Sequence, residues 1–312
     1  MVWFALSYFK YNFMKVLSLF DGISVAQQAL KELGVEVEYY ASEIDKYAIQ
    51  ITQKNFPNTV QLGSVVGLKV NFPIDLLIGG SPCQDLSIAK KNRQGLKGAR
   101  SGLFYEYVRI LKEVKPKYFV LENVNSMPNE AKEQITEILG VEPIMINAAL
   151  VSAQNRKRLF WTNIPNIEQL EDKGILLKDI LLPETYTEFD KSYPLTKSYN
   201  GAVLWNSINK NQRTMVWTKP IIVGKFKSGG QGQRVYSIDG KSVCLSAFGG
   251  GWGAKTGLYL IKDYARKLEP IECERLQSLP DNYTEGISKN KRRECLGNAF
   301  NCAVIKHILN KF

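Results

Sequence analysis

Apolar and polar positions along the first half of the chain alternate between two periods. Apolar runs of strand length cover Val16–Phe20, Val35–Ala41, Ile74–Ile78, Tyr118–Leu121 and Ile144–Ile146. Between them, apolar residues recur at helical spacing and predict helices over Val25–Leu33, closed by Gly34, and over Lys46–Asn55, ahead of Pro57. Two more helices are predicted over Leu103–Val114 and Glu130–Leu139. Alternating strands and helices imply βαβ units, hence an α/β fold with a Rossmann-like, doubly wound, mostly parallel sheet. After about Thr162 the rhythm breaks, and residues up to about Leu260 carry Gly, Ser, Asn, Lys and aromatics with little periodicity. Helical spacing returns over Arg266–Gln277 and Arg292–Leu309. The expected organisation is a main domain from residues 14–162 and 262–312, a smaller domain inserted at 163–261, and an aromatic-rich N-terminal extension at 1–13.

The candidate chemistry centres on Asp75-Leu76-Leu77-Ile78-Gly79-Gly80-Ser81-Pro82-Cys83-Gln84-Asp85-Leu86-Ser87. A strand feeds two glycines, then Ser-Pro-Cys, then polar residues that can open a helix. This places one thiol on a tight loop at the carboxyl end of a buried strand, where open α/β sheets bind ligands. A lone cysteine is more often a small core residue than a nucleophile; its neighbours here favour the nucleophile. A second candidate edge is Ser18-Leu19-Phe20-Asp21-Gly22-Ile23-Ser24, a glycine turn between strand and helix, with Glu43 about 20 residues later at the end of the next strand. A carboxylate there can accept both hydroxyls of a ribose, so the pair describes a nucleoside-binding edge. Glu122 ends the strand expected beside the cysteine loop, and Arg156 and Arg158 are spaced to point the same way on an extended segment.

Charge and cysteine usage narrow the function. Forty-one basic against thirty acidic residues leave +11 and a pI near 9.2, which favours nucleic acid over a membrane as the partner. His307 is the single histidine, which argues against a His-rich zinc site or a Ser-His-Asp triad. Five cysteines without a Cys-x-x-Cys pair argue against a disulfide framework and for a reduced, cytoplasmic setting. No run approaches the roughly 20 apolar residues of a membrane span.

Gly79-Gly80-Ser81-Pro82-Cys83-Gln84 resembles the nucleophile loop of the cytosine-5 DNA methyltransferases of bacteria and phages, and further family motifs follow in order. The resemblance covers about residues 15–162 and 262–312, and implies an S-adenosylmethionine-dependent methyltransferase fold with 163–261 as target recognition domain. It makes Cys83 the thiolate that adds to carbon 6 of a flipped cytosine. Glu122, in Glu122-Asn123-Val124, becomes the group acting on ring nitrogen 3. Gln154-Asn155-Arg156-Lys157-Arg158 fits the family's Gln-x-Arg-x-Arg motif, whose arginines would hold the cytosine oxygen and a neighbouring phosphate.

For S-adenosyl-L-methionine, which leaves as S-adenosylhomocysteine, the resemblance implies Phe20, Asp21 and Gly22 at the first turn, Glu43 on the ribose and Ile44 on the adenine face. It adds Ser64 and Val65, Pro82, Leu103, and Asn298 and Phe300 of Gly297-Asn298-Ala299-Phe300. Ser64 stands where the family usually has Asp, which removes a charge from the adenine contact. Arg266–Gln277 resembles the motif supporting the recognition domain, with Glu269 and Ser278 departing from the commoner Thr and Gly. Double-stranded DNA is the implied partner, met by Ser87, Gln233, Arg234 and Lys255, with no metal or membrane and the enzyme acting as a monomer in a bacterial host. Gly249–Thr256 looks like a P-loop, but Ala254 replaces the glycine required before Lys255. The Cys-Phe-Thr signature of the related tRNA enzymes is absent. An inactive DNA-binding relative is the remaining alternative, supported by Ser64 and by Ala26 near a missing motif glycine.

Overall fold

The computed structural model describes residues 13–82, 101–183, 185–187, 189–218, 222–225, 234–236 and 264–311. Its first half runs β1 (Met14–Leu19), α1 (Val25–Glu32), β2 (Val37–Ser42), α2 (Lys46–Asn55), β3 (Val60–Gln61) and β4 (Leu76–Gly80). Then come α3 (Phe104–Val114), β5 (Tyr118–Val124), α4 (Asn129–Leu139), β6 (Ile144–Asn147) and β7 (Lys157–Thr162). These strands form one sheet in the order β3-β2-β1-β4-β5-β7-β6. Pairing is parallel from β3 to β5, whereas β7 runs antiparallel to both β5 and β6. The expected α/β, mostly parallel sheet is present.

Its strands are apolar on both faces because helices cover both. In β1, Val16 joins one core layer while Leu17 and Leu19 join the other; in β4, Leu76 and Ile78 take the first side and Leu77 the second. The first layer is closed by α1 and by the C-terminal segment Cys302–Leu309, and the second by Phe104, Tyr107 and Ile110 of α3 with Ile135 of α4 and Trp161 of β7. Each such buried side chain contributes about 1.5–3 kcal/mol.

The second half contributes β8 (Thr185–Tyr186), α5 (Leu204–Asn209), β9 (Met215–Thr218), β10 (Ile222–Lys225), β11 (Arg234–Tyr236) and β12 (Tyr264–Lys267). It ends with α6 (Pro270–Leu276), α7 (Lys289–Asn298) and α8 (Cys302–Leu309). Strands β12, β9 and β8 form a small antiparallel sheet, and β10 pairs with β11. Ile164, Leu177, Leu195, Tyr199 and Val216 nevertheless share one core cluster with Val16, Ile78 and Leu276.

Two expected helices differ. Arg266 and Lys267 belong to β12, and the helix starts only at Pro270, whose fixed φ and missing N–H suit a first helical position. The expected Arg292–Leu309 helix is two helices, because Ala299 is extended (ψ 158°) and Asn301 starts α8 by accepting from Val304 N (3.2 Å). Among the described residues no helix is long and apolar enough to cross a membrane.

Candidate active site

A cavity of about 350 Å³ opens at the carboxyl ends of β1, β2, β4 and β5, where the chain switches from building the sheet one way to building it the other. The volume falls in the range of small-molecule sites. The turn after β1 forms one wall, with Gly22 at φ 61°. Gly22 N donates to Glu43 Oε2 (2.8 Å), while Ile44 N (2.7 Å) and Asp45 N (2.8 Å) donate to Oε1. Glu43 is therefore fixed in place, and Oε2, with a single partner among the described residues, keeps acceptor capacity toward the cavity.

Beyond Glu43, Ile44 lines the cavity yet is 78% exposed, an apolar side chain with no protein surface to cover it. Val66, on the loop after β3, is in the same position at 62% exposure. Val65 beside it is buried, and Ser64 Oγ accepts from Val66 N (3.1 Å), so the hydroxyl shapes its own loop. Leu103, from the turn preceding α3, and the exposed Asn298 complete this end.

The other end carries the acid. Glu122 Oε1 lies 2.7 Å from Arg158 Nε, and both side chains are largely buried. The pair sits across the β5–β7 ladder, so the antiparallel strand is what brings Arg158 to Glu122. A Cβ on Gly80 would come within 3.0 Å of both Glu122 Oε2 and the Phe300 ring, so the glycine lets acid and ring meet over the end of β4. Asn123 Nδ2 donates to Ser81 Oγ (3.1 Å), which anchors the backbone that runs through Pro82, also in the cavity wall, toward residue 83. Cys83 and Ser87 themselves lie outside the described residues, as do Gln233 and Lys255; Arg234 is placed on β11 by its backbone alone.

The two arginines do different things. Arg156, which lines the cavity, is buried, and its Nη1 and Nη2 donate to Leu195 O (3.0 Å) and Ala299 O (2.9 Å). Gln154 lies outside the cavity lining. It donates to Leu276 O (3.1 Å) and accepts from Leu195 N (2.8 Å), joining the segment after β7 to α6. Reasoning from sequence missed Val66 and Cys295. Cys295 is a buried cavity-wall thiol whose pKa burial pushes up to about 12, so it stays a neutral packing group. It also missed the buried partners of Asp21. That carboxylate lines the cavity but accepts from Ser24 Oγ and from the Tyr39 hydroxyl (2.8 Å), and burial pushes its pKa up to about 6.

The description C-5 cytosine-specific DNA methylase belongs to the family model that matches residues 14–312. Over 315 residues the chain is 31% identical to the Type II methyltransferase M.HhaI of Haemophilus parahaemolyticus, covering 95% of this chain and 93% of that one. It is 31% identical over 307 residues to the orphan methyltransferase M.Rho11sI of Bacillus phage rho11s, covering 80% and 61%. In fold it is similar to the Entamoeba histolytica methyltransferase EhMeth, with a TM-score of 0.66 at 16% identity over 96% of this chain and 98% of that one. A putative DNA modification methyltransferase from an E. coli prophage gives 0.58 at 19% identity over 96% and 98%. With the model matched over nearly its whole length, the chain belongs to the C-5 cytosine-specific DNA methylase family.

Proposed function

We propose that this cytosine-5 DNA methyltransferase takes its methyl group from S-adenosylmethionine bound in the cavity and transfers it to a cytosine flipped out of duplex DNA. The observation that carries the reading is a single cavity with Glu43 and Gly22 at one end and the Glu122–Arg158 pair at the other, beside the strand that leads to Cys83. The lining fits the donor: Oε2 of Glu43 for the ribose, Ile44 and Val66 for the adenine faces, Ser64 for its edge, and Asn298 for the amino-acid end. Bound there, S-adenosylmethionine supplies an electrophilic methyl.

The protein's part is to make carbon 5 of cytosine a nucleophile. The Cys83 thiolate adds to carbon 6 while Glu122 provides a hydrogen bond or proton to nitrogen 3, which turns the ring into an enamine. Carbon 5 then takes the methyl. Loss of the carbon-5 proton to a base and expulsion of the thiolate restore the aromatic ring, and nitrogen 3 gives back its proton. Arg158 holds Glu122 toward the ring, and base flipping exposes the target, as chemistry on a stacked base requires. Ser87, Gln233, Arg234 and Lys255 are assigned to DNA, with residues 163–261 as the recognition domain.

The test is transfer of a tritiated methyl group from S-adenosylmethionine to duplex DNA by the full chain and by Cys83→Ser. The variant should bind DNA and cofactor and lose turnover; unaltered transfer would refute the mechanism. Duplex DNA and tRNA compared side by side identify the polymer, and bisulfite sequencing of DNA from expressing cells identifies the target.

A further inference from the structure

Three residues of the Phe20–Ser24 turn are left-handed, Phe20 (φ 56°), Gly22 (φ 61°) and Ser24 (φ 55°), and two of them carry side chains. Such a backbone persists only where its surroundings enforce it. The enforcing contacts converge on Asp21, between the first two of these residues and 6% exposed. Its carboxylate accepts from Ser24 Oγ at the far end of the turn and from the Tyr39 hydroxyl on β2. Ser24 Oγ also meets Thr52 Oγ1 on α2 (2.9 Å), and the Tyr283 hydroxyl donates to Ile23 O (2.8 Å). The backbone adds Asp21 N to Ser42 O (3.3 Å) and Ser24 N to Asp21 O (3.3 Å).

The groups facing Asp21 are acidic or neutral. Glu43 at the end of β2 adds negative charge, Tyr39 and Tyr283 are phenols that burial keeps protonated, and α2 offers the Thr52 hydroxyl to Ser24.

We propose that Asp21 is a positioning residue for the methyl donor: its ionised carboxylate, held at a desolvation cost, sets the Phe20–Ser24 turn in the shape that receives S-adenosylmethionine, and protonation relieves that cost but releases one of the two hydroxyl bonds that shape the turn. This rests on the cavity being the cofactor site. Phe20, Asp21, Gly22 and Ile23 all line it, so a change in the turn is a change in the cavity wall. An ionised carboxylate only accepts, which suits two hydroxyl donors; a protonated one becomes a donor, and one of the two hydroxyls must turn away. Burial places the change at about pH 6, within reach of mild acid.

Calorimetric titration of the full chain with S-adenosylmethionine and with S-adenosylhomocysteine, from about pH 5 to about pH 7.5, tests this. Affinity for both should fall about tenfold toward the acid end, the loss expected one pH unit below the midpoint when the ionised form alone binds well. Tyr39→Phe removes one bond to the charged form and should move the midpoint to higher pH. Asp21→Asn should bind more weakly at neutral pH and show no step. The proposal is overturned by a flat profile in the unaltered protein or an unmoved midpoint in Tyr39→Phe. It is also overturned by a loss confined to the cationic S-adenosylmethionine, which would mark direct charge attraction instead. If neither compound binds at neutral pH, the cofactor site itself is misassigned, and the role of Asp21 falls with it.

Discussion

Replacing Gly297 with alanine sets helix propensity against packing. Gly297 lies within α7, where alanine is favoured over glycine by roughly 1 kcal/mol. Its new Cβ, however, would lie 2.7 Å from Lys197 N and closer still to the Thr196 carbonyl group. Those are backbone atoms, and comfortable contact needs about 3.5 Å, so with the Thr196 carbonyl carbon only 2.4 Å away the chain must retreat by about 1 Å. It is poorly placed to do so. Leu195, just upstream, is tied through its N–H to Gln154 and through its carbonyl to Arg156. Overpacking of this kind costs about 1–3 kcal/mol, and a weakened buried hydrogen bond adds about 1 kcal/mol. Net destabilisation of about 1–3 kcal/mol is expected, read as a lower urea midpoint at unchanged m-value and a Tm lower by about 2–4 °C per kcal/mol. Gly297, Asn298 and Ala299 also line the cavity, so affinity for S-adenosylmethionine should fall, by a factor on the order of ten for about 1.4 kcal/mol of strain. A variant as stable as its parent, or more so, would mean that propensity decides and that the close approach to Thr196 is not rigid.

Three further outcomes are expected. Glu122→Gln should leave DNA and cofactor binding in place and slow methyl transfer by about 10²–10⁴ in single-turnover assays, the range of a lost acid–base group; a change below about threefold would remove Glu122 from that role. Ile44→Ala should leave stability within about 0.5 kcal/mol, since the side chain is 78% exposed, yet weaken S-adenosylmethionine binding by about tenfold in calorimetry; unchanged affinity would detach Ile44 from the adenine. Asp21, with a folded-state pKa of about 6 against an ordinary 3.8, makes the apoprotein less stable as pH rises from about 3.8 through 6, because the folded state holds its proton more tightly. Its contribution should fall by on the order of 1 kcal/mol between pH 5 and pH 8. Asp21→Asn should therefore gain more in urea midpoint at pH 8 than at pH 5, and parallel pH profiles for the two proteins would contradict this.

The alternating periods of the N-terminal half gave the sheet and its helices because buried parallel strands and amphipathic helices write their packing directly into hydrophobic spacing. Lys46–Asn55 was legible to the residue, since Asp45 caps its start and Pro57 follows its end. The placing of Gly22 and Glu43 at one sheet edge was legible for a similar reason: each follows a strand whose apolar run is plain. What spacing could not show was pairing between distant segments. The link between Arg158 and Glu122 depends on β7 lying antiparallel beside β5. The link from Arg156 to Ala299 depends on a segment 143 positions away returning to the sheet. Helix spacing likewise ran on through Ala299–Asn301, because Asn301 caps from a position that periodicity reads as one more polar residue. That three-residue interruption is what presents Asn298 and Phe300 to the cavity.

The return of α8 onto α1 sets the order in which the enzyme can become competent. Cys302 and Lys306 reach Glu32 across some 270 positions, and Tyr283 reaches Ile23 across 260. During synthesis the ribosome releases the Glu43 edge and the Glu122 strand long before Asn298 and Phe300, so a nascent chain carries half of the cavity wall with one flank of its sheet bare. Such long-range closure makes for slow folding and prolonged exposure of that flank. Chains truncated before α8 should therefore be aggregation-prone and, on the proposed function, unable to retain a methyl donor.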